Sequence, residues 1–187
     1  MSRFDRWAAP GFSVLLAAIA AAAPAVAQHG AQGGEWRHFG GDSGSTRYSP
    51  LDQIDRDNFS RLEVAWRWES ADVLLNDVSG KTPGPYRSMP LMIDGVVYIA
   101  TNLGQVAALD PATGEALWRH DPRDWEIEQR GSLVQIRGIE SWTDGEAERI
   151  LIATRGGRLV SIDTRTGRPD PEFGEEGVVD LMQGLLP

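Results

Sequence analysis

The sequence predicts an all-β fold built from repeated four-stranded units, and three observations carry that expectation. From Met89 onward, short apolar runs rich in Val, Ile, Leu and Ala are separated by Gly- and Asp-containing turns. One of these turns, Asp94-Gly95, is a strong hairpin signal, because both residues tolerate positive φ. Finally, Ile99-Ala100-Thr101, Gly104, Asp110, Thr113 and Gly114 recur as Ile152-Ala153-Thr154, Gly157, Asp163, Thr166 and Gly167, each 53 residues later. A constant offset of that size is the range of a β-propeller blade, and blades are four-stranded antiparallel sheets.

The N-terminus reads differently. Arg3 and Arg6 precede an apolar run from Phe12 to Ala23, followed by Pro24-Ala25-Val26-Ala27. That order is the pattern of a secretory signal peptide, residues 1–27, cut after Ala27. An uncleaved anchor is the alternative, since the run from Ala8 is just long enough to span a bilayer, but it consists mostly of alanine. Export implies a periplasmic protein. Residues 28–88 form a polar Gly-rich linker, then an aromatic segment with turns at Gly40 to Gly44 and Ser49-Pro50. Ile54 to Leu62 is spaced for a short helical turn, and Leu62 to Trp68 alternates as a strand with one buried face. Ala71 to Tyr86 is a loop.

In residues 89–187 the expected strands of the first blade are 91–93, 96–100, 105–109 and 116–119, and a second unit spans Ile150 to about Phe173. Asp110 and Asp163 are expected to accept turn N–H groups, with Gly114 and Gly167 at positive φ. Trp118 is expected to pack between blades. A propeller closes with four or more blades. Two cannot form a ring, so the chain alone is expected to be inactive.

Composition narrows the function. The net charge is −9, with 27 acidic and 18 basic residues, which disfavours nucleic acid as a partner. There is no cysteine, so disulfides and thiolate metal sites are excluded. His29, His38 and His120 lack metal-ligand spacing and read as surface or packing histidines. No glycine pattern supports nucleotide binding, and the acidic run Glu172 to Glu176 reads as a solvated loop. Arg137-Gly138 stands out: a guanidinium beside a residue without a side chain would let a planar acidic ligand approach the backbone. The alternative is an arginine paired with a carboxylate at the blade edge.

Several segments together resemble the quinoprotein (PQQ-dependent) glucose and alcohol dehydrogenases. They are Trp36 to Asp42, Thr46 to Ile54, Asn58, Leu62 to Trp66, the Ala-x-Asp-x-x-Thr-Gly-x-x-x-Trp stretch ending at Trp118, and Phe173 to Leu181. The resemblance implies an eight-bladed β-propeller of which this chain is about the first two blades, with pyrroloquinoline quinone (PQQ) and calcium on its axis. It implies a sugar or alcohol substrate of the glucose type, and a membrane quinone or cytochrome as electron acceptor. It gives Arg137, and more weakly Thr154, as cofactor-binding residues, with residues 28–88 helping to close the propeller. It places the catalytic aspartate and the calcium ligands downstream of Pro187, so neither catalytic nor metal-binding residues are expected here. Ser141 stands where relatives have an aromatic residue, no vicinal cysteines precede Arg137, and Arg87 stands where alcohol-oxidising relatives have a cofactor-contacting glutamate. These departures favour the sugar-oxidising branch. A non-catalytic propeller scaffold that binds partner proteins is the alternative from another class.

Overall fold

The computed structural model describes residues 30–73, 85–123 and 136–184. Residues 1–27, expected to be a signal peptide, and most of the expected loop after Ala71 lie outside the described residues. Strands β1 (Leu91–Ile93), β2 (Val96–Ala100), β3 (Val106–Leu109) and β4 (Ala116–His120) form one antiparallel sheet in sequence order. Strands β5 (Glu140–Thr143), β6 (Glu148–Ala153), β7 (Arg158–Asp163) and β8 (Val178–Asp180) form a second sheet of the same order. These are the two expected blades.

The repeat is exact at the level of hydrogen bonds. Thr101 N–H donates to Gln105 O at 2.8 Å, and its hydroxyl oxygen accepts from Gln105 N–H at 3.0 Å. Thr154 does the same with Arg158, at 2.8 and 3.3 Å. At the other end of each sheet, Asp110 Oδ1 accepts from Thr113 N–H at 2.9 Å and Asp163 Oδ1 from Thr166 N–H at 2.8 Å. Asp94-Gly95 forms the expected tight turn, with φ of +48° and +76°.

Between the sheets lies the core. Leu91, Ile93, Tyr98, Ala100, Val106 and Ala108 of the first blade meet Ile136, Ile139, Ile150, Ile152, Val160 and Ile162 of the second. Burying each large aliphatic side chain contributes about 1.5–3 kcal/mol, so this apolar layer is the main attraction between the blades. Trp118 completes it. Its ring lies against Gly167, where an added Cβ would come within 2.6 Å of the indole, and its Nε1 donates to Thr164 O at 2.7 Å. Trp66 repeats the arrangement one blade earlier, stacked on Gly114 with Nε1 donating to Pro111 O at 2.8 Å. Tyr98, whose hydroxyl burial pushes up to about 12, sits 5.8 Å from Trp118 between ring centroids.

Three expectations change. The segment from Leu62 to Trp68 forms no strand among the described residues, and Val64 is 65% exposed rather than buried. Trp66 docks on the first blade, while the strand that would pair with its backbone is not among the described residues. The helical turn is shorter than read, a single 3-10 turn at Phe59–Arg61. The second blade starts at Glu140 rather than Ile150 and ends at Asp180. Its inner strand was hidden because the β5–β6 loop is longer than the two-residue turn of the first blade, so the offset drops to 49 between Leu91 and Glu140. Its outer strand was hidden because Pro169 to Gly177 intervenes before β8. The Glu172 to Glu176 run within that insertion is largely exposed, as expected of a solvated loop.

Two predictions follow from the turns. Gly167→Ala must adopt φ of +69° and also displace Trp118, whereas Gly95→Ala, at φ of +76°, has nothing within 4 Å of the new methyl group. Backbone strain alone costs about 1–2 kcal/mol, so urea unfolding should show Gly167→Ala losing clearly more stability than Gly95→Ala. Equal losses would mean that the tryptophan seat contributes nothing. For the aspartates, the Thr113 and Ala112 N–H groups hold the Asp110 carboxyl below its ordinary value. Burial pushes Asp163 up, but the bonds from the Thr166 hydroxyl and N–H outweigh it and the net shift is also downward. A depressed carboxyl contributes stability above its unfolded value, near pH 4, and loses it as pH falls through the folded value. Asp163→Asn keeps an acceptor oxygen but not the charge, so its stability measured from pH 5 to pH 2 should fall less steeply than that of the parent.

Candidate functional site

The site begins where the two inner strands meet. Antiparallel pairing places the start of β5 at the same end of its sheet as the β6–β7 turn, so Arg137 and Thr154 share one end of the second blade. There Met89 and Gly138 form a parallel bridge, with Met89 N–H donating to Arg137 O at 3.2 Å. This contact aligns the entry into β1 with the entry into β5. Arg137 is exposed, and no carboxylate of the described residues pairs with it. It lines an open cavity of about 380 Å³ with Phe39, Gly138, Ile139, Glu140, Leu151, Ala153 and Leu159.

The internal repeat acts as a control on both predicted residues. Through the Met89–Gly138 bridge, the counterpart of Arg137 in the first blade is Ser88, which is buried. A blade therefore folds without an arginine at this place. Thr154 has Thr101 as its counterpart, and both are buried with the same turn-capping bond. The Thr154 hydroxyl thus does work that the blade itself requires.

The surface of Gly138 is less open than the sequence suggests. A Cβ there would lie 3.5 Å from Phe39 Cδ2 and 3.9 Å from Met89 N. What approaches this backbone is the N-terminal segment, which sequence reasoning had treated only as a family signature. Trp36 exchanges two backbone hydrogen bonds with Met92, at 2.8 and 3.0 Å. Arg37 binds Glu35 at 2.9 Å and Asp94 at 3.0 Å, and also pairs with Glu148 of the second blade. Burial works against its charge, but Glu148, Glu35 and Asp94 together raise its pKa further. The Ser141 hydroxyl donates to Arg37 O at 2.8 Å. His38 Nδ1 meets the Glu140 carboxylate, which answers the question of what this histidine does. The clue available in the sequence was charge complementarity: Arg37 and His38 stand in a chain that is otherwise acidic.

His120 is half-buried near Gly167, and burial lowers its pKa. Arg149 stacks 4.9 Å over Trp142 and pairs with buried Asp170 at 2.8 Å, on the same face of the second blade as Leu151, Ala153 and Leu159 but toward the other end of the sheet. Neither belongs to the Arg137 cavity. Among the described residues, no three of His, Cys, Asp and Glu gather where a metal ion could sit. For PQQ the fit rests on Arg137. A flat conjugated tricarboxylate requires a cation at its edge, which the Arg137 guanidinium supplies; the cavity lining also holds the Glu140 carboxylate, and its Leu151, Ala153 and Leu159 lie on the sheet face turned away from the first blade.

Comparison with known proteins gives the family and the fold. The chain is 34% identical over 142 residues to the dehydrogenase subunit of a quinone-dependent alcohol dehydrogenase from Gluconobacter oxydans, covering 75% of this chain and 17% of that one. It is 28% identical over 182 residues to quinoprotein glucose dehydrogenase A of Acinetobacter calcoaceticus, covering 88% and 22%. The crystal structure of quinohemoprotein alcohol dehydrogenase from Comamonas testosteroni superposes with a TM-score of 0.61 at 27% identity, covering 84% of this chain and 21% of that one. The chain thus spans about a fifth of the length of the relatives it matches. Residues 36–187 match the family model described as PQQ: glucose/ethanol/alcohol dehydrogenase, beta-propeller domain. The chain therefore belongs to the PQQ-dependent glucose/ethanol/alcohol dehydrogenase β-propeller family.

Proposed function

We propose that these residues form the first two blades of a periplasmic PQQ-dependent dehydrogenase that oxidises a sugar or an alcohol and passes the electrons to a membrane quinone or a cytochrome. The observation that carries the reading is the exposed Arg137 at the aligned ends of β1 and β5, with no carboxylate partner among the described residues, where the first blade has a buried Ser88. PQQ, when bound, supplies the two-electron acceptor that these side chains lack. Arg137 would bind one of its carboxylates through a bidentate fork. Thr154 enters as the residue that fixes the β6–β7 turn at the same end. Arg87, rather than an acid, before β1 supports a sugar over a simple alcohol. Calcium is part of the reading through the resemblance alone, and none of the described residues is assigned to it.

The N-terminal segment fits the same picture. Trp66 holds the first blade as Trp118 holds the second, so the unpaired stretch from Leu62 to Trp68 is proposed as the outer strand of a neighbouring blade, closing the ring. Export would follow from residues 1–27. Mass spectrometry of the periplasmic fraction should find Gln28 as the first residue, and a protein still starting at Met1 would overturn the assignment.

A single exposed contact between Arg137 and a carboxylate is worth about 0–1 kcal/mol, against roughly 8 kcal/mol for a micromolar complex. The 187-residue chain supplied with PQQ and calcium should therefore show no dye reduction with glucose or ethanol. The same residues within a complete propeller should reduce dye, and Arg137→Ala there should weaken PQQ binding about tenfold. Turnover by the 187-residue chain alone would place the active site elsewhere.

A further inference from the structure

We infer that Arg155 is a second ligand-binding arginine at the Arg137 end of the second blade, and that it takes a carboxylate. The inference rests on the reading of that end as the cofactor end and adds a residue that the reading does not include. Arg155-Gly156 repeats the Arg137-Gly138 pair in residue type. Both pairs lie at one end of the sheet, because the β6–β7 turn and the entry into β5 share that end. In the first blade the corresponding pairs are Asn102-Leu103, 53 residues earlier, and Ser88-Met89, through the Met89–Gly138 bridge. Neither carries a charge.

The turn itself does not require an arginine. Gly104 N–H donates to Thr101 O and Gly157 N–H to Thr154 O, each at 3.2 Å, so Asn102-Leu103 and Arg155-Gly156 are the central residues of two like turns. In the first blade the fold uses both of them. Asn102 Nδ2 donates to Pro85 O at 3.5 Å, and Leu103, itself buried, donates its N–H to Asp72 Oδ2 at 2.9 Å. In the second blade Arg158 reaches back to the chain, with Nη2 donating to Pro122 O at 3.5 Å. Arg155 has no such bond: its Nε is withdrawn from solvent without an acceptor, and no carboxylate among the described residues pairs with it. A donor held in that way costs free energy until an acceptor arrives. The acceptor that a guanidinium binds best is a carboxylate, through two parallel N–H···O bonds. That carboxylate can belong to the cofactor or to an acidic sugar.

The test uses the complete protein. Arg155→Asn copies the residue that the first blade places in this turn, so the thermal unfolding midpoint of the cofactor-free form should not move. PQQ binding is read by equilibrium dialysis, and the binding of gluconate and of glucose to the cofactor-loaded form by calorimetry. A fall of about tenfold in PQQ affinity assigns the arginine to the cofactor. Unchanged PQQ binding, with a fall of about tenfold for gluconate and none for glucose, assigns it to the substrate. Arg155→Lys keeps the charge without the fork and should recover part of whichever affinity is lost. Unchanged binding of all three ligands overturns the inference, and a loss in Arg137→Ala alongside it leaves the reading of this end intact. Failure of the parent protein to bind PQQ sinks the reading and the inference with it. A loss in Arg155→Asn that tracks a lowered midpoint, without recovery by lysine, would reduce Arg155 to packing and also overturn the inference.

Discussion

The indole of Trp118 lying flat on Gly167 is the contact on which the rest of the structure depends. It reaches from the outer strand of one blade to a turn of the next, and it works only because that turn carries no side chain and can adopt φ of +69°. Once this outer edge is joined, the faces of the two sheets close over Ile150, Ile152 and Ile162 on one side and Leu91, Tyr98 and Ala108 on the other. That closure brings β1 and β5 near enough for Met89 to donate to Arg137 O. The placement of Arg137 thus depends on a tryptophan located at the opposite edge of the sheets.

Much of this was legible in the sequence because turns are local chemistry. Asp-Gly requires positive φ, Asp-x-x-Thr-Gly supplies its own acceptors, and both recur at a fixed spacing, so the hairpins of the two blades could be read directly. The inner strand of the second blade was not legible. It carries Glu140, Ser141, Trp142 and Thr143, without the apolar run that identified β1, because its neighbour on the open side is a polar N-terminal segment rather than another apolar sheet. A repeat search with one fixed offset also fails where a hairpin loop changes length. The stretch from Leu62 to Trp68 shows the converse: its alternation is genuine, but a strand needs a partner, and local sequence does not reveal where the partner comes from.

For the site, residue type was informative and residue spacing was not. Arg137 could be singled out because an arginine before a glycine at the start of a blade is chemically pointed. Arg37, His38 and Ser141 could not, since Arg37 and His38 lie 104 and 102 residues from their partners Ser141 and Glu140 and meet them only through tertiary contacts. Ser141 was read as a loss relative to aromatic residues in relatives. In the structure its hydroxyl donates to the backbone carbonyl of Arg37, so it ties the N-terminal segment to the second blade.

The repeat itself separates architecture from function. At the end bearing Asp94, Asp110, Asp163 and Glu148, the charged groups are spent on turns and on Arg37, and the aspartate turns are the same in both blades. At the other end the blades agree in one respect and differ in another. They agree at Thr101 and Thr154, where a hydroxyl closes a turn. They differ at Ser88 and Arg137, where one blade buries a small side chain and the other leaves a guanidinium exposed. Two copies of one structural unit face the same folding problem, so what both retain can be assigned to folding. Arg137 is not needed by its counterpart blade, and His38 keeps the nearby Glu140 occupied. The asymmetry between the repeats is therefore the strongest reason to look for chemistry at this end of the sheets.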